Sequence, residues 1–370
     1  MTAVAEHSHA VPTNLTSGTR SFDPADFEAL SALQEQWRFT PVAKIASLED
    51  GDAAAPIINI KASDGVALTS GTDTGVFVPG DRIAALTWAN SPVASIVDVP
   101  AEADATISIT VTTEAGQPQF ARLLLRTGLH SRVKVDLAIL GDGHASLIIE
   151  TVQAANSHLT FTDLNDLAED ATVVLYLPSS LERDAVLRSH VLTVSGGLVR
   201  VLPTVDYRGP GADAELNGAF IAGPGHHIEH RCLADHQVAN CRSQVTYKGV
   251  LGGTDAAPAR TVWIGDVLIH AAATGTDTYE MNRNLVLNDH ARADSVPNLE
   301  IETGDIAGAG HASATGRLDD EQVFYLQSRG IDATTAKSLI VRGFFEDLLA
   351  AVPNEDAVAR VRERLAEVLA

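Results

Sequence analysis

Cysteine is nearly absent from this chain. Two residues, Cys232 and Cys241, occur among 370. That is too few for a disulfide framework and points to a reducing compartment, the cytoplasm. Aromatic side chains are scarce, at 5%. A core built without them needs many thin layers of Val, Ile, Leu, Ala and Thr. Basic residues are outnumbered, 26 against 48 acidic, for a formal charge of -22. Phosphate backbones and anionic lipids recruit basic surfaces, so neither nucleic acid nor a membrane is an expected partner. No basic start followed by an apolar run opens the chain, and no apolar run is long enough to span a bilayer. The Walker pattern, a G-x-G-x-x-G between strand and helix, and the G-x-S-x-G elbow are all missing. The chain is not expected to hydrolyse ATP by itself or to carry acyl transfer.

What the chain does contain is strand. Thr106-Ile107-Ser108-Ile109-Thr110-Val111 alternates strictly, the mark of a half-buried strand. Short runs of the same kind follow from Ala121 to Leu287, punctuated by Gly, Asp and Asn. Many short, regularly spaced strands mean a sandwich, a barrel or a solenoid. Hairpin dipeptides are few: Asp64-Gly65, Asp142-Gly143 and Asn217-Gly218. Ahead of the strands, residues 1–20 read as a disordered tail and 21–100 as a helical or mixed region. Asp23-Pro24 should open a helix through Phe27, Leu30, Leu33 and Trp37, ended at Thr40-Pro41. The strand-rich core runs over 101–316 and a helical domain over 317–370. There Asp319, Asp332 and Asn354 are candidate caps of three successive helices.

Two stretches could carry chemistry. His311 stands alone in a strand of Gly, Ala, Ser and Thr, with Gly304, Gly308, Gly310 and Gly316 around it. Glycine in a strand often marks close approach by a backbone or a ligand, and a lone imidazole there can bind metal. The second stretch holds His226, His227, His230, Cys232, His236 and Cys241. In a strand, His226, His230 and Cys232 fall on one face, with His227, Glu229 and Arg231 on the other. Two-residue spacing would let the first three share a metal, although no zinc pattern matches; buried, hydrogen-bonded histidines are the alternative. The C-terminal helices offer more apolar side chains than one stripe needs, and a surplus marks an interface.

The stretch 291–331 carries a resemblance. Pro297-Asn298-Leu299-Glu300-Ile301, His311-Ala312-Ser313-Ala314-Thr315-Gly316, and Asp320-Glu321 through Phe324-Tyr325-Leu326-Gln327-Ser328-Arg329-Gly330-Ile331 resemble the C-terminal part of the SufB/SufD family of iron–sulfur cluster assembly scaffolds. Tyr247-Lys248-Gly249-Val250, Asn282 to Leu287 and Gln36-Trp37-Arg38-Phe39-Thr40-Pro41 match as well. The resemblance implies a mainly β fold: a right-handed parallel β-helix flanked by helical regions at both ends. It implies a non-catalytic scaffold on the SufD side of the family, in a SufBCD complex. The β-helix would pair with a SufB-like paralogue, with a homodimer as the other pairing. A SufC-like ABC ATPase would dock on the C-terminal helices through Phe324, Tyr325, Arg329, Phe344 and Phe345. His311 would be one ligand of a transient iron–sulfur cluster shared with the partner, no cofactor being held stably by this chain alone. One position departs from the pattern: Ala309 stands where many members carry cysteine. The competing reading is a β-helix enzyme acting on polysaccharide, which few aromatics and the C-terminal helices disfavour.

Overall fold

A computed structural model describes residues 18–49, 53–73 and 75–369. The strands are β1 (Ile57–Ala62), β2 (Ala67–Gly71), β3 (Ala94–Asp98), β4 (Asp104–Thr113), β5 (Gln119–Thr127), β6 (Arg132–Gly141), β7 (His144–Gln153), β8 (His158–Leu167) and β9 (Thr172–Leu181). They continue as β10 (Val186–Ser195), β11 (Leu198–Tyr207), β12 (Asp213–Ala222), β13 (His227–His236), β14 (Arg242–Leu251), β15 (Ala259–Ile269), β16 (Asp277–Val286), β17 (Ala291–Ile301) and β18 (Gly308–Arg317). From β3 onward, odd and even strands separate into two sheets, with β1 joining the even sheet and β2 the odd one. One runs β1-β4-β6-β8-β10-β12-β14-β16-β18, the other β17-β15-β13-β11-β9-β7-β5-β3-β2. Pairing from β3 and β4 onward is parallel, whereas β1 and β2 join antiparallel. Each turn of chain therefore lays one strand in each sheet. The result is a parallel β-solenoid of about 8 turns with helices at both ends.

The lumen between the sheets holds the main core, from Val97 and Ile107 to Tyr247 and Trp263. Corners recur once per turn. Glu102, His130, Asn156, Asp184, Gly211, Asn240 and Gly275 all have positive φ at the equivalent bend. Of the three dipeptides that could turn a hairpin, none does. Asp64-Gly65 links strands that pair in different sheets, and Asp142-Gly143 turns a solenoid corner. Asn217-Gly218 lies inside β12, where a Cβ on Gly218 would sit 2.0 Å from the Tyr247 ring.

The outer faces of the two sheets are covered differently. Helices α1 (Val42–Ile45) and α2 (Arg82–Asn90) and the residues around them cover the second sheet, with Trp37, Ile45, Leu48 and Ile83 packed on Ile148, Val174 and Tyr176. The helix expected from Phe27 to Trp37 is not formed. Only two short 3-10 turns, Pro24–Asp26 and Glu35–Trp37, are present. Tertiary partners take the backbone groups a helix would need. Arg82 donates to the carbonyls of Pro24 (2.7 Å) and Phe27 (3.4 Å), and the Leu30 N–H donates to Glu49 (3.3 Å). Leu33, expected on the buried stripe, is 96% exposed. The tail expected over 1–20 falls, for 1–17, outside the described residues.

At the other terminus α3 (Asp320–Ser328), α4 (Ala333–Leu349) and α5 (Glu355–Leu369) form as the caps imply, with Asp319, Asp332 and Asn354 each accepting a first-turn N–H. Helices α4 and α5 lie on the first sheet, burying Val341, Phe345, Leu348, Val361 and Leu365 against Leu192, Val194, Ala219, Ile221 and Val250. Ion pairs fix them. Lys248, itself buried, reaches Asp347 (2.5 Å) and the Phe344 carbonyl (2.8 Å), and Arg360 reaches Asp166 (2.6 Å). No described helix is long and apolar enough to cross a membrane.

The residues over the second sheet are clasped by buried polar groups. The Arg200 guanidinium lies 3.9 Å over the Trp37 ring and donates to Thr40 Oγ1 (2.6 Å), which donates to Glu229 (2.7 Å). Arg231 donates to the Gln36 carbonyl (2.5 Å). Trp37→Ala removes the aromatic that these groups surround. It should cost about 3–5 kcal/mol in urea-induced unfolding, the range for emptying a large buried aromatic site.

Candidate metal site and partner surfaces

Parallel, in-register strands stack side chains in columns, so equivalent positions of successive turns share a face. His311 of β18 is in register with Glu280 of β16, and both point to the lumen side of the first sheet. Their separation is 3.9 Å, from His311 Nδ1 to Glu280 Oε1. The imidazole is 47% exposed, because β18 is the last strand of its sheet. Glu280 is buried, and among the described residues neither carboxylate oxygen has a hydrogen-bond partner. Burial, followed by the nearby Asp266 charge, pushes its carboxyl up to about 9. The lumen behind it is polar. Thr278, Asn282 and Asn284 of β16 all face inward and are buried, while Tyr279 and Arg283 point out.

The histidine-rich stretch alternates as the strand spacing requires, but it does not gather a metal site. His230 and Cys232 point into the lumen; His227, Glu229 and Arg231 point out. His226 precedes β13 and lies apart: its Nε2 donates to Glu169 (2.6 Å) and its Nδ1 accepts from the Gly223 N–H (3.2 Å), the pattern of a neutral ring. His230 is 2.9 Å from the Thr193 hydroxyl and edge-on to Phe220 and Tyr247. Burial raises both thiols, Cys232 most strongly. Among the described residues, no group of three or more His, Cys, Asp or Glu is placed to hold a metal ion. His236 stacks on Tyr207 and bonds Ser243 inside the lumen, while neighbouring Asp235 pairs with His270 outside, so the two form no dyad.

The five C-terminal positions divide. Phe324 and Tyr325 are 72% and 57% exposed on α3, and the Arg329 guanidinium lies 5.3 Å from the Tyr325 ring centre. These three form an outward patch. Phe344 is half-buried beneath the Lys248 ammonium. Phe345 is fully buried in the helix–sheet core and so offers no surface to a partner.

Sequence reasoning missed Glu280 and the clasp around Arg200. Asp277 to Asn284 alternates, but with Thr278, Glu280, Asn282 and Asn284 inward and Tyr279 and Arg283 outward, and polar residues at two-residue spacing ordinarily mark the solvent face. The clasp joins residues as distant as Thr40 and Glu229, which no local pattern connects.

The chain is thus a parallel β-solenoid with helices at both ends and a single histidine on its last strand. The chain belongs to the SufBD family of the SUF iron–sulfur cluster assembly system: residues 109–344 match the family model described as "SUF system FeS cluster assembly, SufBD core domain". An iron–sulfur cluster assembly SufBD family protein of Mycobacterium leprae is 42% identical over 99% of this chain and 95% of its own length. One from Mycobacterium tuberculosis is 42% identical over 93% of this chain and 89% of its own. The iron–sulfur cluster assembly protein SufD of Escherichia coli is 29% identical over 50% of this chain and 44% of its own.

Three buried histidines make the fold sensitive to acid. Burial lowers His230 and His236 to about 3, and burial with the Arg188 charge lowers His190 to about 4. When unfolded, each takes up a proton below about pH 6.5; when folded, each stays neutral until its own lower pKa. The histidines' contribution is therefore fully present above about pH 6.5 and falls as pH drops, by about 1.4 kcal/mol per unit for each, while the buried carboxyls of Glu280 and Asp163, raised to about 9 and about 7, run the other way over the same range. Urea unfolding of the wild type and His236→Phe between pH 7 and 5 isolates one histidine: the difference between the two curves should change by about 1.4 kcal/mol per unit below pH 6.5.

Proposed function

We propose that this chain is a SufD-like scaffold subunit that works without catalytic residues of its own. It would stand in a cytoplasmic complex with a SufB-like paralogue and a SufC-like ABC ATPase. The observation that carries this reading is the position of His311. It is the half-exposed imidazole on β18, a strand at the sheet edge whose outer side pairs with no other strand among the described residues. Edge strands are templates for pairing with another chain. β17 ends the other sheet at the same end of the solenoid, so a partner joining there meets two edges at once. A nascent cluster at that junction takes one ligand from His311 and the others from the partner, since a cluster normally needs about four. The cluster is cargo, formed and passed on.

The ATPase docks on the α3 patch of Phe324, Tyr325 and Arg329. Its movements reach the solenoid through α4 and α5, which are tied to the first sheet by Lys248–Asp347 and Arg360–Asp166. The presence of a second SufBD family protein in Mycobacterium leprae, 24% identical to this chain over 59% of its length, fits pairing between paralogues.

Co-expression of the tagged chain with the paralogue and the ATPase tests this, with anaerobic size exclusion and iron and sulfide assays. His311→Ala should leave the complex assembled and remove its cluster. Phe324→Ala with Tyr325→Ala should release the ATPase, weakening its binding by roughly 30-fold or more, as for interface anchors worth about 2 kcal/mol. A chain that elutes alone, or only as its own dimer, in the presence of both partners defeats the reading.

A further inference from the structure

Glu280 is the anomaly of the lumen. Its carboxyl group crosses from the first sheet to the second. A Cβ built on Gly265 of β15 would lie 2.3 Å from Glu280 Oε2. Only a glycine leaves that space, and Gly265 is in register with Cys232 on one side and Pro297 on the other. A group placed there is fully withdrawn from water, yet neither oxygen is hydrogen-bonded. An unpartnered buried carboxyl costs several kcal/mol, and such groups usually serve something other than packing. Among the described residues, the imidazole in reach is that of His311, directly above it at the mouth of the lumen.

We infer that Glu280 and His311 together form a two-donor site for a single divalent first-row transition-metal ion, held by this chain at the end of its lumen. The distance supports it. Two donors bound to one ion at about 2.0–2.2 Å are at most about 4.4 Å apart, and His311 Nδ1 and Glu280 Oε1 are 3.9 Å apart. An imidazole nitrogen with a carboxylate oxygen suits ions such as Fe2+, Co2+ or Zn2+; thiophilic Cu+ prefers sulfur, and Mg2+ all-oxygen shells. With two donors supplied from within, the exposed side of the ion is left for water or for groups on a docking chain. Nothing is oxidised or transferred; the site binds and presents a cation. The inference shares His311 with the scaffold reading but does not need the partners, because both donors belong to one chain.

The test is anaerobic titration of the purified full-length chain with Co2+ at neutral pH, read by visible ligand-field absorption and by calorimetry. The wild type should take up one ion per chain. His311→Ala should abolish the signal. Glu280→Gln keeps the side chain's shape and should weaken binding at least about tenfold, the floor seen for the loss of a mere outer-shell partner. Glu280→Met, with no oxygen donor, should weaken it further, and thermal melts of both variants check that the fold is intact. His270, which faces Asp235 (2.8 Å) and Glu302 (3.5 Å), is the competing acid–imidazole cluster, and His270→Ala should change nothing. Binding that survives both Glu280 variants, or that disappears with His270→Ala, overturns the inference. A chain that loses Co2+ on Glu280→Gln yet never joins its partners keeps this site and loses the scaffold reading. A complex that loses its cluster on His311→Ala while Glu280→Gln binds Co2+ like the wild type does the reverse.

Discussion

A stack of parallel strands satisfies its backbone everywhere except at its two ends. In the middle, each turn donates to and accepts from its neighbours, and side chains fall into columns. At an end, a full row of N–H and C=O groups faces outward. The chain treats its two ends differently. At the first, the edge strands β1 and β2 run antiparallel to their neighbours and so break the run of solenoid turns. At the second, β17 and β18 are left as edges, with half-exposed faces and mostly small or polar side chains on β18. This second end is also where the polar column of Glu280 and His311 comes to the surface.

Those contents set this lumen apart from a hydrocarbon core. The early turns are filled mostly by Val, Ile and Leu, with Asp163 and Asn165 of β8 among the polar exceptions. From β13 onward come His230, Cys232, Tyr247, Trp263, Glu280, Asn282 and Asn284, several with unsatisfied atoms. Polar groups placed at increasing depth behind an opening lower the cost of bringing a charged species to that opening, and they lower stability where they have no partner. The outer coverings offset this. The clasp on one sheet and α4–α5 on the other bury apolar area where the interior cannot.

Much of this was legible from sequence. Thr106 to Val111 alternates in the ordinary sense and is a strand; Asp319, Asp332 and Asn354 cap helices as their chemistry suggests. The solenoid was less so, because its repeat is conformational. Glu, His, Asn, Asp and Gly occupy equivalent corners, so the recurring left-handed residue leaves no recurring letter. α2 was missed although Asp81 caps it, and a helix was expected where Arg82 and Glu49 claim the backbone instead. His311 stood out as one imidazole among glycines and alanines. Glu280 did not, since a polar residue in strict alternation implies solvent, and only the register against β18 reverses that assignment.

The clasp has a consequence for how the molecule comes apart. Stacked-repeat proteins tend to fray, each turn holding only its neighbours. Here one short segment touches three turns: Thr40 meets Arg200 of β11 and Glu229 of β13, Gln36 meets Arg231 of β13, and Phe39 meets Arg260 of β15. A turn in this region cannot peel away without breaking the bonds that also hold the next two. Cooperativity is thus imposed from outside the stack, and the middle of the solenoid should behave as one unit while the edge strands remain free to open and close against whatever meets them.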